Sequence, residues 1–152
     1  MTLNTLELPN KHEVSDKLIS CGLPSAEQVR ALAGAGVRTV LSFCQPGECS
    51  FDEQRLVSEL GMRFVAMPIS GPADMTPAAA RTLQAVLDDV DAYPMVMHCS
   101  TGNRAGGMLA AKLFHCDGLA LEQAIVQGRV AGLTKLEKSV RQCLQDQQEA
   151  QG

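Results

Sequence analysis

The side chains best suited to chemistry fall in one short run: His98, Cys99, Ser100, Thr101, Gly102, Asn103 and Arg104. The run follows the apolar stretch Pro94–Cys99 (PMVMHC) and precedes the small and apolar residues Ala105–Cys116. A buried strand is therefore expected to end on Cys99, and a helix to begin just past Arg104. Such a turn points successive backbone N–H groups at one centre, and the helix dipole adds partial positive charge there. Gly102 removes a Cβ where the backbone must curl. Arg104 offers a planar fork of donors that suits a tetrahedral oxyanion. A thiol at the focus of these groups gives up its proton readily and becomes a nucleophile. The pattern predicts an anion pocket ringed by Ser100, Thr101, Gly102, Asn103 and Arg104, with the Cys99 sulfur at its floor.

The rest of the chain reads as the frame that holds this turn. Leu18–Leu23 (LISCGL) is an opening strand. Ser25 and Gln28 form a capping box for a helix with Val29, Leu32 and Ala33 on one face, stopped by Gly34 and Gly36. Val37–Cys44 is a β-branched, apolar strand, and Gln45–Glu48 (QPGE) is a turn or loop. Ser50 with Glu53 reads as a second capping box, followed by the stripe Leu56, Val57 and Leu60 and a stop at Gly61. Met62–Ile69 is the next strand and Ser70–Met75 a loop. Thr76 caps a helix with Pro77 at its first position and Leu83, Val86, Leu87 and Val90 on one face. Beyond Cys116, one helix is marked by Leu121, Ala124, Ile125 and Gly128. A second is marked by Leu136, Val140, Cys143 and Leu144, behind a Thr134/Glu137 capping box. The polar tail 145–152 is expected to fray. Strands separated by helices predict an α/β three-layer sandwich, a mostly parallel four- to five-stranded sheet flanked by helices. The whole of 1–152 reads as one domain with its core over about 18–144. Ligands of such sheets bind beyond the C-terminal strand ends, where His98–Arg104 lies.

Composition narrows the partners. The chain has 152 residues, with 13 Lys+Arg against 17 Asp+Glu and a net charge of −4. With no Lys/Arg run, neither nucleic acid nor an anionic membrane is an expected partner. Aromatic residues make up 3% and Trp is lacking, which argues against a platform for stacking bases. No apolar stretch approaches the ~20 residues of a membrane span. The opening residues lack an apolar signal core, so a cytoplasmic location is expected. Six cysteines occur without a CxxC pair or a Cys/His cluster at zinc spacing, which predicts reduced thiols and no metal site. Cys21, Cys116 and Cys143 read as buried and inert, and Cys44 as core packing. Cys49 either packs likewise or approaches Cys99 to form a protective disulfide.

The stretch HCSTGNRAG resembles the signature loop of the cysteine-dependent protein tyrosine and dual-specificity phosphatases, written His-Cys-five residues-Arg-Ser/Thr-Gly. The upstream order GLPS, GVRTVLSF and MRFVAMPI is similar too. Over about Leu18 to Leu133 the chain is most similar to a bacterial phosphatase-like family found alone or fused to β-lactamase-fold hydrolases. The resemblance implies a hydrolase that cleaves phosphate monoesters through a phosphocysteine, with no cofactor, on a phosphorylated protein or small molecule. Cys99 would be the nucleophile. Arg104 and the amides of Ser100 to Arg104 would hold the equatorial oxygens, and His98 would brace the loop. Asp74, in the loop matching the family's acid loop, would protonate the leaving oxygen and then activate water. A carboxylate there also suits the dipole of the next helix, and Glu48 stands in reserve as the acid.

Two features depart from the phosphatase pattern. Four residues, not five, separate Cys99 from Arg104, and Ala105 stands where a Ser or Thr is usual. The bacterial family shares the short spacing. So do the rhodanese sulfurtransferases, whose loop resembles Cys-x-x-Gly-x-Arg and would imply a Cys99 persulfide. LALEQAIVQGRVAGL, after the loop, resembles the helices of phosphatases instead. A third reading is a pocket that binds anions without turnover.

Overall fold

The apolar runs become one five-stranded sheet in the computed structural model, which describes residues 3–151. Its strands are β1 (His12–Ser15), β2 (Leu18–Cys21), β3 (Thr39–Ser42), β4 (Arg63–Ala66) and β5 (Met95–His98). Their order is β1-β2-β5-β3-β4, with β1 antiparallel to β2 and every other pairing parallel. This is the α/β sandwich expected from the sequence. All four residues of β2, of β3 and of β5 are buried, as strands covered on both faces must be. The register sets Cys21 and Ser42 level with His98. Three loops therefore leave the sheet side by side at the C-terminal ends of β2, β5 and β3, and the loop that begins at Cys99 is the middle one.

Alternate residues of a strand face opposite ways. Met95, Met97 and Cys99 enter the core that α3 (Pro77–Leu87), α4 (Asn103–His115), α5 (Leu121–Val130) and α6 (Glu137–Gln151) cover. Val96 joins Ile19 and Val40 in the second core, beneath α1 (Ala26–Gly34) and α2 (Glu53–Glu59). α4 runs from the Cys99 loop through the first core. A Cβ at Gly106 would lie 2.5 Å from the Leu133 nitrogen and 2.7 Å from the Gly128 oxygen, so only glycine lets α5 approach this closely.

The Ser25/Gln28 box and the Thr76–Pro77 start form as expected. Other expectations do not. β1 lacks an apolar alternation and forms by pairing with β2. α2 is capped by Asp52, which accepts from the Arg55 amide, whereas Glu53 turns inward to a buried partner. α3 stops at Leu87, leaving Val90 81% exposed. The tail does not end at Leu144 but continues as helix to Gln151. It is held by Gln147 against His115 of α4 and by the Gln142–Asp146 hydrogen bond. Among the described residues no helix is long and apolar enough to cross a membrane.

Candidate active site

Cys99 follows the last residue of β5 and exposes no surface. Its amide donates to the Cys21 carbonyl at 3.4 Å, and its Sγ accepts from the Gly102 amide at 3.0 Å. Gly102 is the N-cap of α4 with φ +93°, the left-handed conformation that glycine adopts without penalty. The chain thus curls back over the sulfur before entering α4. The Asn103 and Arg104 amides lie in the first helical turn, where N–H groups have no intrahelical acceptor. Ser100 and Thr101 form the exposed rim, while Gly102 and Asn103 are buried.

The Arg104 guanidinium is fixed by four neighbours. Nη1 donates to Glu48 Oε2 and to the Ile69 carbonyl, both at 2.9 Å, and reaches the Phe43 carbonyl at 3.5 Å. Nη2 donates to Glu48 Oε1 at 2.6 Å and to Ser100 Oγ at 3.1 Å. The Glu48 pair is a two-pronged fork in a setting where the Arg104 side chain is mostly covered. The Arg104 hydrogen bonds hold the Glu48 carboxyl down at about 2, and Glu48 in turn pushes the Arg104 guanidinium to still higher pKa. Glu48 also accepts from the Gln45 amide, which closes its own turn.

His98 points away from the thiol, into the second core. Its Nε2 lies 2.6 Å from Glu53 Oε2, and its Nδ1 faces the Cys99 carbonyl at 3.4 Å and Cys44 Sγ at 3.9 Å. Asn103 extends its side chain the other way. Oδ1 accepts from the Thr134 amide at 2.8 Å, the Thr134 hydroxyl at 3.2 Å and the Leu136 amide at 3.1 Å, while Nδ2 donates to Thr101 Oγ1.

Asp74 sits at the end of a short 3-10 turn, Pro72–Asp74, and is exposed. Its carboxylate accepts from the Ser70 hydroxyl at 2.6 Å and the Ser70 amide at 2.8 Å. These bonds, the hydroxyl first, hold its carboxyl below the usual range. Asp74 lines an open groove of about 570 Å3 together with Ile69, whose carbonyl receives Arg104. No hydrogen bond or ion pair joins Asp74 to Cys99 or Arg104 among the described residues. The structure therefore groups Cys99, Ser100, Gly102, Arg104, Glu48 and His98, and sets Asp74 one loop away.

All six cysteines are free, Cys49 and Cys99 included. Burial pushes the Cys21 thiol up to about 12 and the Cys44 thiol up to about 11, and raises Cys49 as well. These three remain thiols at neutral pH.

Sequence reasoning missed Glu53 and the latch made by the Asn103 side chain. For Glu53 a signal existed: with Leu56, Val57 and Leu60 it occupies the i, i+3, i+4 and i+7 positions, so an acid falls on the buried stripe. For Asn103 and for the Phe43 and Ile69 carbonyls no local signal exists, because their partners come from distant loops.

No family model matches the chain, and no curated protein matches it in sequence. Solved structures do match. A protein from Shewanella putrefaciens CN-32, described as a candidate phosphatase (DUF442), is 18% identical with a TM-score of 0.69 and covers 97% of this chain and 94% of its own. TpbA of P. aeruginosa, in complex with phosphotyrosine, is 20% identical with a TM-score of 0.65, over 94% of this chain and 91% of its own. The core catalytic domain of the PP-IP phosphatase SIW14 from S. cerevisiae is 17% identical with a TM-score of 0.68, over 97% and 94%. What such distant sequences share is a fold. This chain has the fold of the cysteine-dependent tyrosine and dual-specificity phosphatases, as the resemblance of its loop implied.

Proposed function

We propose that a chain built on this fold with this loop is a cysteine-dependent phosphatase, hydrolysing phosphate monoesters through a phosphocysteine on Cys99. One observation carries the reading: the Cys99 sulfur lies under the Gly102 N–H at 3.0 Å, while Glu48 and Ser100 pin the Arg104 guanidinium beside the same loop. An N–H aimed at the sulfur orients it within the cup, and a fixed fork next to it suits the three equatorial oxygens of a transferring phosphoryl group.

In the first step Sγ attacks phosphorus, the S–P bond forms, and the bond to the leaving oxygen breaks. Asp74 supplies the proton to that oxygen. In the second step Asp74 takes a proton from water, which attacks phosphorus and frees phosphate and the thiolate. Ser70 holds Asp74 ionised at rest, so Asp74 donates to the leaving oxygen only after it has left Ser70 and taken up a proton from solvent. Glu48, with both oxygens committed to Arg104, fits the role of orienting the guanidinium better than that of acid. Ala105 is buried and offers no hydroxyl to ease thiolate release. The resemblance to a phosphotyrosine-bound protein and to an inositol-pyrophosphate phosphatase supports a phosphorylated substrate, protein or small molecule. The fold gives the sulfurtransferase reading no comparable support.

The test is metal-independent hydrolysis of p-nitrophenyl phosphate by the intact chain, with Cys99→Ser as control. Turnover abolished by that substitution, with phosphate trapped on Cys99 in an acid quench, is the expected result. Thiocyanate formation from thiosulfate and cyanide in place of phosphate release would overturn the proposal.

A further inference from the structure

We propose that Glu53 is a positioning residue of the nucleophile loop, acting through His98, whose imidazole it fixes with Nδ1–H turned to the Cys99 carbonyl. The inference rests on the reading of Cys99 as the nucleophile.

Glu53 opens α2, on the sheet face opposite α4, and is 6% exposed. A buried carboxylate carries a large desolvation penalty unless a charged or hydrogen-bonding partner compensates it. His98 Nε2, at 2.6 Å, is that partner, and His98 is itself wholly buried. The other ring nitrogen faces a carbonyl oxygen, which can only accept. A hydrogen bond from Nδ1 to the Cys99 carbonyl at 3.4 Å needs a proton on Nδ1; the competing arrangement, a bare Nδ1 accepting from the Cys44 thiol, uses the longer contact of 3.9 Å. A second proton lies between Nε2 and Glu53, so the pair is an imidazolium–carboxylate or its neutral equivalent, oriented the same way in both forms. Without Glu53 the ring has no partner fixing which nitrogen faces Cys99.

The surrounding charges single out this pair. Cys21 faces it from β2, and Cys44 and Cys49 from the segment between β3 and α2; burial keeps all three as thiols. Arg104 on α4 and Glu48 on the same segment neutralise each other. The Glu53–His98 pair is then the buried acid–base pair directly behind the loop. Glu53 thus extends the site through the sheet, from α2 to the base of the cup.

The test compares the full chain with Glu53→Gln, which keeps an acceptor of the same size but removes the charge, and with Glu53→Asp, which keeps the charge. The readouts are the site-resolved rate of Cys99 alkylation by iodoacetamide against pH, and kcat and KM for p-nitrophenyl phosphate. In Glu53→Gln the alkylation profile is expected to move to higher pH and kcat to fall by about tenfold, one pKa unit of thiolate preference, with KM nearly unchanged. Glu53→Asp is expected to restore most of both. A lowered melting temperature with an unmoved profile and kcat overturns the inference. Should Glu53→Gln fail to fold, 15N NMR of His98 in the unmodified protein decides: a proton on Nδ1 at neutral pH supports the inference, and a bare Nδ1 overturns it. A shifted alkylation profile in a chain that hydrolyses no phosphate keeps this inference and removes the phosphatase reading; hydrolysis indifferent to Glu53→Gln does the reverse.

Discussion

The loops after β5 and after β4 both leave parallel strands at the same sheet edge, yet they hold their functional side chains differently. Around Cys99 the supporting groups come from far along the chain: Glu48 and Glu53 before it, Thr134 and Leu136 after it. Around Asp74 both recorded donors belong to Ser70, four residues away. Cys99 is fully covered, whereas Asp74 stands in solvent. The first loop is preorganised by the whole fold, so its donors need no rearrangement when charge develops. The second is satisfied locally and can exchange partners without disturbing the core. In the proposed mechanism attack demands a fixed geometry and proton delivery a group that can move, and the two loops would divide these requirements.

Removing the Arg104 fork should produce the largest effect. Arg104→Ala is expected to lower kcat/KM by ~10²–10³-fold, as loss of a preorganised donor to a developing oxyanion does. Arg104→Lys is expected to recover little, since an ammonium cannot span both Glu48 oxygens. Steady-state rates within threefold of the unmodified chain would break the claim that this loop is the rigid one.

Asn103→Ala comes next. It removes the acceptor of the part-buried Thr134 and Leu136 amides, which water can partly replace, and a hydrogen bond of this kind is worth ~0.5–1.5 kcal/mol. Denaturant unfolding should show a loss of about that size, accompanied by lower activity because Thr101 also loses a partner.

Glu48 gives a pH signature. Its folded carboxyl is depressed to about 2 from an ordinary 4.5, so its pairing stabilises the fold fully above the ordinary value. That contribution is lost as pH falls from 4.5 toward about 2. Stability measured across that range should decline more steeply in the unmodified chain than in Glu48→Gln.

Ser70→Ala should have the smallest effect. Without its hydroxyl the Asp74 carboxyl rises toward the ordinary range, so the alkaline limb of kcat is expected to move to higher pH. Fold stability should change by less than ~0.5 kcal/mol, the usual range for an exposed site. A destabilisation as large as that of Asn103→Ala would erase the contrast between the loops.

The turn after β5 and the order of the elements from β2 onward were legible because they rest on local signals. PMVMHC is apolar throughout, Ser25 and Gln28 cap one another, and Pro77 follows Thr76. The short strand HEVS carried no such signal, since an edge strand is made by its neighbour. Side-chain partners were the least legible part. That Glu48 meets Arg104 and Glu53 meets His98 follows from Ser42 standing level with His98, and register is a property of the assembled sheet. Glu53 showed the limit most clearly, because a capping role and a buried role demand the same residue type at nearly the same place.

The Asn103 carboxamide splices the reactive turn to the connection between α5 and α6, 31 residues downstream. Reciprocity then makes each end a reporter on the other. An occupant that steadies the turn must tighten the start of the last helix, and anything that grips or loosens that helix from outside changes, by the same factor, how well the turn receives its guest.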